Sequence, residues 1–177
     1  MGTTVLVEGE SDRVAVDTLA RRDGLDLAAL GVRVVGMGGA TSLRHFLPHD
    51  GDEQVLGLVD EAEAPWTLRA LEAEGVGSGP LAARGFQVCR ADLEDELIRC
   101  LGTDAVLGVV ESQGELAAFG RLRHQPALRG LTLVQQLRRF LAGRSGHKVT
   151  YARLLVEALP VGRAPEPLVR LLADVRA

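Results

Sequence analysis

The sequence predicts an α/β fold built on a parallel sheet, and three observations predict it. Short runs rich in Val and Leu recur along the first part of the chain without polar alternation. Each run is followed by a turn, and then by a segment whose apolar residues have helical spacing. Strands that are apolar on both faces are typical of a parallel sheet covered by helices. We therefore expect the order β-α-β-α-β-α-β-α.

The individual elements follow from these runs. The predicted strands are Val5–Val7, Val32–Val35, Val55–Val59 and Gly85–Cys89. Ser11 stands where the N-cap of the first helix is expected. Further helices are predicted from Thr41 or Ser42 to Phe46, from Pro65 to Glu74, and from about Ala91 to Gly102.

The character of the chain changes after Gly102. The remaining helices are predicted at Leu116–Phe119, Leu131–Leu141, Tyr151–Leu159 and Pro167–Val175. We expect an α/β core over residues 1–103 and a helical, basic C-terminal part over residues 104–177 that packs on it. Residues 1–120 carry 9 arginines against 21 Asp and Glu, whereas residues 121–177 carry 11 Arg and Lys against 3 acids. This asymmetry suits metal binding on one surface and phosphate binding on the other, but it equally fits a basic part that docks on its own acidic half.

Composition excludes several classes of protein. Apolar residues make up 46% of the chain, but no apolar run is long enough to cross a membrane. The N-terminus has no basic start and reaches Glu8 after three apolar residues, so we expect no signal peptide and a cytoplasmic protein. Cys89 and Cys100 have no zinc spacing and are expected to be structural.

Acidic side chains follow the predicted strands where each strand ends. Glu8 follows the first strand, Asp60 the third, and Asp92 with Glu94 the fourth. The carboxyl ends of parallel strands meet at one edge of a sheet, so these acids should converge. Carboxylates this close repel one another unless a cation neutralises them, and oxygen ligands alone favour Mg²⁺ or Mn²⁺. The sequence therefore predicts a divalent metal site that can act on a phosphodiester.

These residues also resemble a known family. The segment Glu8-Gly9-Glu10-Ser11-Asp12 resembles the Glu-Gly-x-x-Asp opening of TOPRIM domains, and Asp60 resembles the start of their Asp-x-Asp motif. The acidic helix start at residues 92–97 is similar to that of the overcoming-lysogenization-defect (OLD) nucleases. The resemblance extends from about Thr3 to Tyr151.

The resemblance implies roles for particular residues. Glu8 would be a metal ligand and the general acid/base, with Asp12, Asp60 and Glu94 as further ligands. Lys148, which is the only lysine of the chain, is similar in placement to a lysine that OLD-type domains use beside the scissile phosphate. Asp92 joins the candidate ligands because it follows the fourth strand.

The sequence departs from the family pattern in two places. Ala62 stands where Asp-x-Asp has its second acid, so Glu61 or Glu63 would have to substitute. The chain also has no Gly-x-x-x-x-Gly-Lys-Ser/Thr loop, so any ATP dependence is expected to come from a separate ATPase subunit.

Basic residues of the C-terminal part are candidates for nucleic-acid binding. These are Arg138, Arg139, Arg144, His147 and Arg153. Tyr151 is expected to be an aromatic residue that packs on a helix rather than a group that attacks DNA, because topoisomerases need larger strand-holding domains.

The resulting hypothesis is a Mg²⁺-dependent DNA nuclease or nickase of the TOPRIM class. One alternative is nucleotidyl transfer as in primases. Another is a non-catalytic module that binds nucleic acid or a partner. DNA is favoured over RNA, and a homodimer is left open.

Overall fold

The computed structural model describes residues 2–47, 53–143 and 146–177. Within these residues, four parallel strands form one sheet: β1 (Thr3–Val7), β2 (Val32–Gly36), β3 (Gln54–Asp60) and β4 (Phe86–Cys89). Their order across the sheet is β2-β1-β3-β4. The predicted α/β fold with a parallel sheet is confirmed.

Helices cover the sheet and continue beyond it. They are α1 (Glu10–Arg22), α2 (Ala64–Ala73), α3 (Leu93–Leu101), α4 (Thr103–Ser112), α5 (Leu116–Arg123), α6 (Leu133–Ala142), α7 (His147–Ala158) and α8 (Glu166–Arg176). Among the helices of the described residues, none combines the length and the apolar character needed to cross a bilayer.

Side chains of β1 enter the cores on both faces of the sheet. Val5 and Val7 belong to the larger core, and Leu6 belongs to the smaller one. Strand residues alternate between the two faces, so a strand with all three side chains buried must be covered on both sides.

The helical C-terminal part belongs to the same core as the sheet. Helix α7 packs on α1, and α8 packs on β3 and β4. Tyr151 and Leu171 lie in the larger core together with Val5. The boundary predicted after residue 103 falls at the start of α4, and residues of the larger core lie on both sides of it.

The first helix begins differently from the prediction. Its N-cap is Gly9, and Ser11 lies buried inside the first turn. The Gly9 N–H donates to Oδ2 of Asp12, at 2.9 Å, so the helix is capped from its third residue. The expectation of a Ser11 cap was wrong, and the actual cap holds Asp12 against the end of β1.

Two other segments also differ from the prediction. Residues Ala40–Phe46 form a 3-10 helix. Gly38 and Gly39 precede it with positive φ, and Pro48 follows in the sequence, so little room is left for a regular helix. Helix α4 was not predicted, because its valines and Gly108 have low helix propensity. Val106 and Val110, one turn apart, are its buried residues.

Gly57 in β3 makes room for the ring of Phe86 on β4. A Cβ atom at Gly57 would lie 2.3 Å from the Phe86 ring, which is fully buried. We expect Gly57→Ala to lower the free energy of unfolding by about 1–3 kcal/mol, because the ring must move within a packed core. Chemical denaturation measures this change.

Gly108 offers the matched control. It lies inside α4, and a Cβ there would meet no atom within 4 Å. Gly108→Ala should raise the free energy of unfolding by about 0.5–1 kcal/mol, since alanine favours a helix interior. Equal effects of the two substitutions would contradict the packing of Phe86 against Gly57.

Candidate metal and nucleic-acid site

The acids predicted at the strand ends lie at one edge of the sheet. Glu8 follows the last residue of β1, and Asp60 is the last residue of β3. Strand β1 is the neighbour of β3, and Asp60 pairs in register with Cys89 at the end of β4. The turn that leads from β4 to Asp92 therefore meets this same edge.

The pKa of Asp60 is affected by the other acids at this edge. Burial, followed by the charges of Glu8, Asp12 and Asp92, raises the pKa of Asp60 to about 8. The positive charge of Lys148 lowers the pKa of Asp60 and so partly opposes this shift. Asp60 therefore lies near other acids at this edge, and their repulsion adds to the effect of burial.

Asp12 is held in this cluster by the loop between β1 and α1. It is buried, and burial raises the pKa of its carboxyl. The loop can approach β2 because residue 36 is glycine. A Cβ atom at Gly36 would lie 3.2 Å from the carbonyl carbon of Gly9, which is closer than side-chain carbons normally come to backbone.

Glu94 and Lys148 form the other side of the cluster. Lys148 Nζ lies 3.5 Å from Oε1 of the buried Glu94. Burial raises the pKa of Glu94 to about 7, although Lys148 opposes this shift. For Lys148 burial disfavours the charged form, but the charges of Glu94, Asp12 and other acids outweigh it and raise its pKa. Lys148 is thus a cation that faces these acids.

The structure distinguishes the two acids that could replace the missing one at Ala62. Glu61 is exposed, and its Oε2 accepts a hydrogen bond from the Ala91 N–H at 3.1 Å. It therefore supports the β4–α3 turn, where Ala91 has the unfavourable φ of 61°.

Glu63 is directed into the cluster. Its Oε2 is buried and has no hydrogen-bond partner among the described residues. Burial, followed by the charge of Glu8 and a hydrogen bond with that carboxyl, raises the pKa of Glu63. Of the two candidates, Glu63 is the one whose carboxyl faces Glu8.

Asp92 lies at the edge, but both of its oxygens have partners. Oδ1 accepts from the Asp95 N–H at 2.8 Å and caps α3. Oδ2 forms an ion pair with Arg138 on α6. These contacts make Asp92 the link between the acidic edge and α6.

The predicted basic residues separate into two groups. Arg138 and Arg139 line the same pocket as Glu94 and Lys148. The others that the structure describes contact neighbouring protein groups instead: Arg153 pairs with Glu157, and His147 Nε2 lies 3.2 Å from Oε1 of Glu115. Arg144 lies outside the described residues.

The structure adds two residues that sequence reasoning missed. Gln135 lies one turn before Arg138 and Arg139 on α6 and lines the same pocket. Its spacing from the two arginines could have identified it. Glu115 accepts from the Tyr151 hydroxyl at 2.6 Å, and no pattern in the sequence points to this contact. Tyr151 is buried, in keeping with its predicted packing role.

The chemistry of the acidic cluster fits a hard divalent cation. Its donors are carboxylate oxygens, the pKa values of Asp60 and Glu94 are raised, and one oxygen of Glu63 is buried without a partner in the described residues. However, no three His, Cys, Asp or Glu side chains of residues 2–47, 53–143 and 146–177 already form a metal-binding group. Binding an ion here therefore requires side chains at this edge to reorient.

Comparisons with known proteins agree with this geometry. Residues 2–49 match the family described as overcoming lysogenization defect protein-like, TOPRIM domain. The C-terminal region of the Burkholderia pseudomallei OLD protein superimposes with a TM-score of 0.70 at 19% identity, covering 98% of this chain and 96% of that one. The C-terminal region of the Xanthomonas campestris pv. campestris OLD protein gives 0.66 at 21% identity, covering 98% and 94%.

The predicted resemblance to the TOPRIM domain of OLD proteins is confirmed. The family match carries Glu8 and Asp12, and the structural similarity establishes the OLD-type TOPRIM fold over nearly the whole chain. Among curated proteins, none matches the chain.

The raised pKa values predict how stability changes with pH when no divalent metal is bound. In the folded protein Asp60 and Glu94 hold protons up to about pH 8 and about pH 7, far above their ordinary pKa values. The folded state then binds more protons than the unfolded state in this window, so stability falls as pH rises through it. We expect a lower Tm at about pH 8 than at about pH 5.5 in EDTA.

Asp60→Asn should flatten this dependence, because it removes the group with the larger shift. Asp23→Asn, at an exposed position after α1, provides the control and should leave the dependence intact. Thermal unfolding followed by circular dichroism gives the Tm values. A wild-type Tm that stays constant or rises over this pH range would contradict the clustering of the acids.

Proposed function

We propose that this OLD-type TOPRIM chain is a Mg²⁺-dependent phosphodiester hydrolase that nicks or cleaves DNA. The observation that carries the proposal is the position of Glu8 and Asp60 at the ends of neighbouring strands, with Asp12 and Lys148 lining the same depression as Glu8. A surface of this kind suits a divalent ion and the phosphate that the ion would neutralise.

Glu8, Asp60 and Asp12 would hold the ion from the strand ends. Glu94 would join them from α3 and Glu63 from the start of α2, where its carboxyl meets that of Glu8. When bound, Mg²⁺ or Mn²⁺ supplies charge that polarises the phosphodiester and stabilises the attacking or leaving oxygen. Asp92 is not a first choice of metal ligand, because it caps α3 and pairs with Arg138.

Proton transfer is assigned to Glu8, and charge stabilisation to Lys148. Glu8 lies in the turn after β1, half-buried, where its carboxyl can accept a proton from an attacking water. The Lys148 ammonium is a compact donor that can meet charge developing on a phosphate oxygen. Its side chain is 40% exposed, so a phosphate arriving from solvent can reach it.

Several parts of the proposal extend beyond the acidic edge. DNA is favoured as substrate over RNA, and an ATPase subunit, a homodimer and a cytoplasmic location remain predictions from the sequence. A non-catalytic module that binds nucleic acid is the second candidate. It is favoured by Ala62 and by the lack of an already assembled metal-binding group among the described residues.

Plasmid nicking tests the proposal. Supercoiled plasmid is incubated with Mg²⁺ or Mn²⁺ and with the wild-type protein or a variant. Glu8→Gln should slow nicking by about 100-fold or more, because the ligand and proton-transfer group is lost. Lys148→Ala should slow it by about 100-fold while Mn²⁺ affinity, measured by calorimetry, changes much less.

Glu111→Gln is the matched control, because Glu111 is exposed on α4 and lies outside the acidic cluster. It should nick at the wild-type rate. Metal-dependent nicking that survives Glu8→Gln would remove Glu8 from the site. Wild-type protein that binds Mn²⁺ and DNA without nicking would overturn the hydrolase and support the non-catalytic module.

A further inference from the structure

A pocket of ≈ 420 Å³ lies beside the acidic cluster and is closed on its far side by α6. The residues that matter in its wall are Asp92, Glu94 and Lys148 on the cluster side, and Gln135, Arg138 and Arg139 on α6. Lys148 also lines the depression in which Glu8 and Asp12 lie. Lys148 is therefore shared by the pocket and the proposed site of cleavage.

The lining of this pocket carries both signs of charge. Asp92 and Glu94 are paired with Arg138 and Lys148, and Arg139 adds a further guanidinium from α6. A phosphate would be repelled by the carboxylates, and so it must lie against α6. The volume is in the range of small-ligand sites, which begin at roughly 300 Å³, and it suits one nucleotide unit rather than a duplex.

The side chains on α6 are available for such a ligand to different degrees. Arg138 is oriented by its ion pair with Asp92, and its buried Nε has no partner among the described residues. Arg139 is exposed, and no described residue hydrogen-bonds or pairs with its guanidinium. Gln135 uses its Oε1 to accept from the Thr132 N–H at 2.9 Å, which leaves its amide N–H groups for a ligand.

We propose that this pocket binds the phosphate of the nucleotide next to the cleaved bond, with Arg139 as its main ligand. Arg138 supports that phosphate while paired to Asp92, and the Gln135 amide donates to the phosphate or its sugar. A guanidinium can hold a phosphate through two parallel hydrogen bonds, so the contact fixes the position of the strand as well as its charge. The inference rests on the proposed function for its place relative to the cleaved bond.

The subsite connects two parts of the chain that are distant in sequence. Arg138 reaches Asp92 at the end of β4, so α6 stands at a fixed position relative to the acidic edge. A strand whose phosphate lies on Arg139 would pass Lys148 on its way to Glu8 and Asp12. Phosphate contacts of this kind set the register of a strand without reading its bases.

A methylphosphonate scan tests the subsite. Short fluorescent single-stranded oligonucleotides are prepared with one neutral phosphate at each position in turn. Their binding is measured by anisotropy in Ca²⁺ as well as without metal, so the measurement does not depend on cleavage. Wild-type protein, Arg139→Ala, Arg139→Lys and Arg121→Ala are compared. Arg121 is an exposed arginine of α5 that does not line the pocket. Its replacement by alanine changes the net charge by the same amount as Arg139→Ala and serves as the control.

Arg139→Ala should weaken binding of the unmodified oligonucleotide by about tenfold, and Arg139→Lys should restore part of it. At one phosphate position the neutral linkage should weaken binding by the wild-type protein about tenfold. At the same position it should leave binding by Arg139→Ala almost unchanged. Arg121→Ala should remain as sensitive as the wild type at that position. If cleavage occurs, the sensitive position should adjoin the cleaved bond.

Two outcomes separate the subsite from the hydrolase. Selective coupling between Arg139 and one phosphate, in a protein that does not cleave, would retain the subsite and overturn the proposed function. Equal losses at every phosphate for Arg139→Ala and the wild type would overturn the subsite, whether or not the protein cleaves. Equal behaviour of Arg139→Ala and Arg121→Ala would overturn it as well.

Discussion

Three carboxyl groups, those of Glu8, Asp12 and Asp60, lie at one edge of a parallel sheet, and burial together with their mutual repulsion makes it unfavourable to ionise them all. The parallel order of β1, β3 and β4 brings these acids together, and the close approach of Gly36 and the Gly9 loop keeps Asp12 among them. Burial, followed by the charges of Glu8, Asp12 and Asp92, raises the pKa of Asp60. A divalent ion is the counter-charge that fits oxygen ligands of this kind.

The helical C-terminal part supplies the positive charge that the sheet lacks. Helix α7 packs on α1 through the shared core, and this contact presents Lys148 to the acids. Helix α6 is joined to the edge by the pair of Arg138 and Asp92. The charge asymmetry along the sequence therefore has a structural meaning: in the folded chain, at least three basic groups of the second part lie beside the acids of the first.

Strand ends and the acids that follow them could be predicted from the sequence, because a parallel sheet collects its carboxyl ends at one edge. The choice between Glu61 and Glu63 could not, since it depends on which carboxyl meets the Ala91 N–H and which meets Glu8. The two contacts of Asp92, with the Asp95 N–H and with Arg138, likewise depend on packing between α3 and α6. The misplaced cap at Ser11 arose because a side chain within the helix, that of Asp12, binds the Gly9 N–H.

Anomalous diffraction from crystals soaked in Mn²⁺ tests the central claim most directly, because it locates the ion independently of any activity. We expect a peak between Glu8 and Asp60, with carboxylate oxygens at about 2.0–2.6 Å after those side chains reorient. The same crystals should show the Lys148 ammonium beside the ion rather than displaced from the edge. No peak at the carboxyl edge under saturating Mn²⁺, or a peak held by other acids alone, would contradict it.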